Sequence, residues 1–156
     1  MARKTPATNT LDAAGIAYTL HLYDYDPAAE RIGLQAAEGL GVPGHMVVKT
    51  LMALIDGKPV CVMVSSDREV NMKKLAAAAG GKSAQMMKPA DAERATGYRV
   101  GGISPVGQRR KVATFIDQDA HALPEIFLNG GQRGLQIKIK PSDATAALAA
   151  TVAVLT

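Results

Sequence analysis

Met46-Val47-Val48-Lys49-Thr50-Leu51-Met52-Ala53-Leu54-Ile55-Asp56-Gly57-Lys58-Pro59-Val60-Cys61-Val62-Met63-Val64 decides how this chain folds. Two apolar runs, Met46 to Ile55 and Pro59 to Val64, flank Asp56-Gly57, and an Asp-Gly pair between such runs is a strong hairpin signal. Lys49 is the single charge in the first run. Side chains alternate across a strand, so it shares a face with Val47, Leu51, Ala53 and Ile55. A lysine in that company either snorkels out at the sheet edge or meets an anionic partner in a pocket. Thr50 faces the other side. Cys61 sits in the second, unbroken apolar run and reads as a small buried hydrophobe without a base to activate it.

Outward from the hairpin the periodicity changes several times. Thr5-Pro6 opens a short helix ending near Gly15, and residues 17–23 alternate as a strand. Ile32 to Leu40 is helical and stops at Gly41-Val42-Pro43-Gly44. Asn71 caps a helix through Ala79. A short strand at residues 84–87 leads to a helix from Pro89 to Gly97. Strands follow at 112–117, 125–128 and 135–140, the last two joined through Asn129-Gly130-Gly131, and Ser142 caps a terminal Ala-rich helix. Recurring hairpins among helices predict an α+β fold with a mixed, barrel-like sheet and surrounding helices, one domain over residues 1–156.

Gly97-Tyr98-Arg99-Val100-Gly101-Gly102-Ile103-Ser104-Pro105-Val106-Gly107 is the other informative stretch. Four glycines and a proline in eleven residues leave bare backbone able to present N–H groups to a ligand. A tight turn between two strands would use the same residues. Neither the phosphate-loop Lys-Ser/Thr pair nor dinucleotide-type glycine spacing is present.

The net charge of +4 is unevenly placed. Residues 1–78 balance eight basic against eight acidic side chains, whereas residues 79–156 hold ten against six. Arg94, Arg99, Arg109, Arg110 and Lys111 fall in a window without an acid, and Arg133 stands in a second. Such stripes suit phosphates, as in nucleic acid, or form a solvated basic surface. The absence of Trp, with two Phe and four Tyr, argues against a base-stacking platform. One cysteine excludes a disulfide framework, and His21, His45 and His121 lack metal-ligand spacing, so no metal or other cofactor is expected. No stretch reaches membrane-span length and the start lacks a signal-peptide core, which makes cytoplasmic the default. Tyr23-Asp24-Tyr25-Asp26-Pro27 closes a strand either as a solvated turn or as a pocket rim of hydroxyl donors. No serine–histidine–acid set or carboxylate pair is visible.

Thr5-Pro6-Ala7, Tyr23 with Asp26-Pro27, Val48-Lys49-Thr50-Leu51, Lys73-Lys74, Thr96-Gly97-Tyr98, Gly101-Gly102-Ile103-Ser104-Pro105 with Gly107, and Gly130-Gly131 with Arg133-Gly134-Leu135 occur in order along the whole chain. In these elements the chain resembles the YbaK family, free-standing aminoacyl-tRNA deacylases related to the editing domain inserted in bacterial prolyl-tRNA synthetase. The resemblance implies hydrolysis of cysteine wrongly attached to proline tRNA, without a metal and with prolyl-tRNA synthetase as a possible partner. It also implies a site of Tyr23, Lys49, Thr50, Gly101 and Gly102, with Ile103 and Ser104 beside them. Three positions depart from the family's best-known member: Asn129 replaces serine, Gln136 aspartate and Ile32 phenylalanine, which bears on amino-acid specificity.

Backbone N–H groups at Gly101 and Gly102 would receive the oxyanion formed at the ester carbonyl. Lys49 would act as a point charge on a phosphate or the ester, and the basic second half would hold the acceptor stem. In the family the attacking group is thought to be the substrate's own thiol. An alanine deacylase on the same tRNA, and a non-catalytic relative that binds tRNA or a synthetase, remain alternatives.

Overall fold

A computed structural model describes residues 4–156; of the start read above as lacking a signal-peptide core, residues 1–3 lie outside the described residues. The elements are α1 (Pro6–Ala13), β1 (Thr19–Leu22), α2 (Ile32–Leu40), β2 (Val48–Ile55), β3 (Lys58–Ser65), α3 (Met72–Ala78), β4 (Ala84–Met86) and α4 (Pro89–Thr96). They continue with β5 (Ala113–Asp117), α5 (Gln118–His121), β6 (Ile126–Asn129), β7 (Leu135–Ile139), α6 (Pro141–Leu148) and β8 (Thr151–Ala153). Thr5 starts α1 with a capping box: its Oγ1 accepts Thr8 N–H at 3.1 Å while Thr8 Oγ1 accepts Thr5 N–H at 2.8 Å. Asp56 and Gly57 take φ of 49° and 83°, the paired left-handed angles of a type I′ turn, so β2 and β3 fold back in full register from Val48↔Ser65 to Ile55↔Lys58.

The fold is α+β and mixed in strand direction, as the sequence pattern predicts. One sheet runs β1-β7-β6, antiparallel throughout, and the other β4-β2-β3-β5-β8, with β3–β5 and β5–β8 parallel. The closed barrel is not what forms. Among the described residues the sheets join in one parallel bridge, Val47↔Phe127, just before β2. Two further expectations are corrected. Ser142 does not cap α6: Lys140 holds the cap position without a side-chain bond, and Pro141, with φ already helical, opens the helix and carries Ser142 inside it. The chain also does not end in helix, since Ala149 turns left-handed (φ 49°) and Thr151–Ala153 pairs with β5.

Leu11, Ile116, Ile126, Leu128 and Ile137 fill the space between the sheets with α1 and α6, each fully buried. A second cluster packs Leu75 of α3 on Val62, Val64 and Phe115. A third sets Ala36 and Ala37 of α2 against Tyr23, Val47 and Phe127. Fully burying one such large aliphatic or aromatic side chain is worth roughly 1.5–3 kcal/mol.

The phase of the β2–β3 ladder positions everything that follows. Ser66 N–H donates to Val47 O at 2.8 Å. Bonded and non-bonded pairs alternate in an antiparallel ladder. Odd-numbered residues of β2 therefore aim their N–H and C=O at β3, and even-numbered ones aim theirs at the outer edge. Met87 N–H donating to Met52 O at 3.0 Å agrees with that phase. On the outer edge β4 covers Ala53–Ile55 and the bridge to β6 covers Val47. Between them Thr50 turns both backbone groups toward no strand.

Candidate active site

A cleft of about 390 Å³ opens at that gap. Its floor is Val47 and the first part of β2, to Met52; α2 supplies Ile32 and Gly33 on one side, and the glycine-rich loop supplies Val100, Gly101 and Ile103 on the other. Asn129 and Gln136, paired across β6 and β7, complete the wall. Three polar atoms here are buried and make no hydrogen bond: Thr50 Oγ1, Ser66 Oγ and Gln136 Oε1. Unmet groups of this kind are rare in a folded protein and cost free energy until something pairs with them.

Lys49 does not snorkel away. Its side chain is 20% exposed, and Nζ lies 3.4 Å from Glu69 Oε1, which also lies 3.2 Å from Arg31 Nη2. The lysine thus finds an anion on the loop after β3, and Glu69 and Arg31 line the cleft with it.

The glycine-rich loop is not a turn between two strands but the connection from α4 to β5. Asn129 pins it, donating from Nδ2 to Gly101 O at 2.9 Å while its Oδ1 accepts Gly131 N–H at 2.9 Å. Arg133 donates from Nε to Val100 O at 3.0 Å and lies 5.2 Å from the centre of the Tyr25 ring. Gly101 has φ of +90°, and a side chain there would come 2.3 Å from Tyr25 Oη.

Residues 26–146 match the aminoacyl-tRNA editing domain. The chain belongs to that family. Over 106 residues, 67% of this chain, it is 35% identical to EbsC of Enterococcus faecalis, a protein named for Cys-tRNA(Pro)/Cys-tRNA(Cys) deacylation, and the match spans 65% of EbsC. Over 80 residues, 51% of the chain, it is 41% identical to the proline–tRNA ligase of Nitratidesulfovibrio vulgaris, but this is 14% of that enzyme. Two solved structures share the fold. One is described as a trans-editing enzyme for prolyl-tRNA synthetase (TM-score 0.82, 23% identity, 99% of both chains). The other is the hypothetical protein APE2540 (TM-score 0.86, 24% identity, 97% of this chain and 99% of that one).

Within the editing-domain cleft, Ile32, Lys49, Thr50, Gly101, Ile103, Asn129 and Gln136 come together. Three other candidates do not. Gly102 packs inward, with its N–H donated to Arg99 O at 2.8 Å, so it is no spare oxyanion donor. Ser104 is fully buried; its Oγ accepts Val106 N–H at 3.2 Å, which shapes the loop. Tyr23 lies under the rim, lining a neighbouring hollow with Tyr25 and Arg133; burial pushes its hydroxyl above the usual range, and the side chain of the cleft residue Gln136 faces that hydroxyl and opposes the shift. Ser66, Gly33, Arg31 and Glu69 belong to the cleft without having been singled out, because only strand register and helix packing bring them there.

The basic stripe divides. Arg94 is paired with Asp91, and Arg109 reaches back to Arg94 O at 3.4 Å. Arg99 is exposed beside the cleft residue Val100. Arg110 and Lys111 line a separate hollow with Gly107 and Val112. Cys61 is sealed at 0% exposure and burial pushes its thiol up to about 12. His21 meets Phe127 edge-on, and His121 pairs with Thr145 at 3.0 Å, so neither reaches the cleft. Among the described residues no three His, Cys, Asp or Glu side chains group as a metal site.

Proposed function

We propose that this protein, as one editing domain over residues 1–156, is a cytoplasmic trans-editing deacylase that frees cysteine from misacylated proline tRNA. The observation that carries this reading is that Lys49 shares the cleft with buried polar atoms that have no partner, two of them hydroxyls without a base hydrogen-bonded to them. Such a cleft is equipped to orient and polarise an ester, not to attack it. EbsC, named for this reaction, supports the substrate class.

In this reading Lys49 leaves Glu69 to hold the terminal phosphate or ester oxygen. Thr50 N–H, aimed into the gap of the outer edge, and Gly101 N–H are the donors that meet the oxyanion. The substrate thiol, as thiolate, attacks its own carbonyl carbon. The C–S bond forms, the C–O bond to the ribose breaks, and the ribose oxygen takes a proton. A cyclic thioester leaves and water then opens it. Arg99 and the exposed parts of Arg94, Arg109, Arg110, Lys111 and Arg133 hold acceptor-stem phosphates without reading sequence. Prolyl-tRNA synthetase is the partner that would hand over the mischarged tRNA.

The test is single-turnover deacylation of proline tRNA carrying cysteine, serine or alanine. Cysteine should be released far faster than alanine, which has the same ester and no internal nucleophile. Equal rates would make a bound water the nucleophile and the protein a small-residue editor.

A further inference from the structure

We propose that Ser66 contacts the substrate: its hydroxyl pairs with the side-chain sulfur of the bound cysteinyl ester and helps hold it as thiolate. This rests on the deacylase reading above. Ser66 is 2% exposed, lines the cleft, and its Oγ has no hydrogen-bond partner. Register fixes its direction. Val48 faces Ser65 and Lys49 faces Val64, so Ser66 lies opposite Val47, one step along the same face as Lys49. The backbone of Ser66 is fully engaged, with its N–H on Val47 O and its carbonyl accepting from Arg31 Nη2 at 3.4 Å, so the hydroxyl alone is left over.

The compartment around that hydroxyl is small. An added Cβ on Gly33 would come 2.0 Å from Ser66 Oγ, so the glycine of α2 leaves just enough room for the serine. A group reaching Ser66 from the cleft must be short and must offer an acceptor, a donor or both. The β-sulfur of a cysteinyl ester meets both conditions, whereas alanine's methyl is short enough but offers neither donor nor acceptor. A hydroxyl donating to sulfur favours the charged form, and the neighbouring Lys49 ammonium acts in the same sense. The thiol proton goes to solvent, and the thiolate so held is the nucleophile of the proposed reaction.

Ser66→Ala tests this, because it deletes an unmet buried hydroxyl and should leave the fold as stable as before or slightly more so. On cysteinyl-tRNA the single-turnover rate should fall at least about tenfold, as for loss of one hydrogen bond to a charged group. The alkaline rise of its pH profile should move to higher pH. Residual cleavage of the alanyl ester should not change. Gly33→Ala, which drives a methyl into Ser66 Oγ, should lower the cysteine rate in the same selective way. Equal losses on cysteine and alanine esters, or no loss with an unmoved pH profile, would overturn the proposal while an active wild type upheld the deacylase. A wild type inert on cysteinyl-tRNA would remove the deacylase reading and this proposal together.

Discussion

β2 and β3 run side by side in register, with similar apolar composition, yet only one borders the cleft along its length. β3 is paired on both edges, by β2 and β5, and from Val60 to Ser66 every residue is buried. Cys61, sealed inside that run, is consequently inert. β2 is paired fully on one edge and, on the other, only at Ala53–Ile55 and through Met52 O, with a bridge at Val47 just before it. Its versatile side chain, Lys49, stands where the ladder is broken. Reactivity here follows from incomplete pairing rather than from residue type.

The sharpest way to break that comparison is Lys49→Ala. Removing this cation from the floor of the cleft should lower deacylation by about ten- to a hundredfold, from loss of a charge-assisted contact worth roughly 1.5–3 kcal/mol, and by more if the contact strengthens in the transition state. Melting should hardly change, because the Lys49–Glu69 pair has a carboxylate mostly in solvent and such pairs are worth about 0–1 kcal/mol. Wild-type single-turnover rates in a folded alanine variant would remove Lys49 from the mechanism.

Gly101 and Gly102 repeat the contrast within one loop. Gly101 borders the cleft in a left-handed conformation under Tyr25, whereas Gly102 faces the backbone of Gln132 and Arg133, where an added Cβ would come 3.0 Å from Arg133 N. Gly101→Ala should cost activity severalfold or more, with backbone strain of about 1–3 kcal/mol concentrated at the site. Gly102→Ala should act first on melting temperature, by prising the loop from the β6–β7 turn. The two substitutions measured side by side, for rate and for thermal midpoint, should separate. Identical profiles would mean that the loop acts only as a scaffold.

Much of this was legible in the chain. The Asp-Gly hairpin, the proline-started helices and the apolar strands are local signals, and the resemblance carried by Lys49-Thr50 and Gly101-Gly102 pointed to the family. What was not legible depends on contacts distant in sequence. α5 and β8 are four and three residues long, too short for periodicity, and β8 exists because β5 offers it an edge. Two sheets joined by the bridge Val47↔Phe127 depend in the same way on pairings distant in sequence. Ser66 and Glu69 carry no signal of their own, and only register and the turn after β3 bring them to the cleft with Lys49. Ser104 and Gly102, inside a glycine-rich motif, look like ligand groups but are consumed in building the loop.

Salt separates the cleft from the outer surface with a smaller effect. Binding of tRNA should weaken with ionic strength, each phosphate contact on the single-stranded end adding about −0.7 to the log–log slope. Neutralising Arg110 and Lys111, which line a hollow apart from the cleft, should flatten that slope while leaving single-turnover chemistry on saturating substrate unchanged. Arg133→Ala should differ by lowering the rate too, since its Nε holds Val100 O. A slope untouched by the Arg110 and Lys111 changes would confine tRNA contacts to the cleft mouth.

The smallest effect on activity belongs to Cys61→Ser, which should be none. The thiol is shut between Met52, Met87 and Ala92, with Gln108 Nε2 at 3.7 Å as its polar neighbour. Burial raises its pKa to about 12 from the ordinary 9.0, so at neutral pH it is no nucleophile. The sign of the linkage follows. The unfolded chain releases this proton first, so the stability it contributes is intact below about pH 9 and is lost as pH rises toward 12. Native protein should therefore resist iodoacetamide near pH 7 and become labelled as it is driven alkaline or unfolded. Serine at this position should lower the thermal midpoint, because a hydroxyl in an apolar strand costs about 1–3 kcal/mol unless Gln108 pairs with it. The deacylation rate should stay at the wild-type value. A folded Cys61→Ser protein that lost catalysis would show that the fully paired strand carries chemistry after all, and the contrast between β2 and β3 would fall with it.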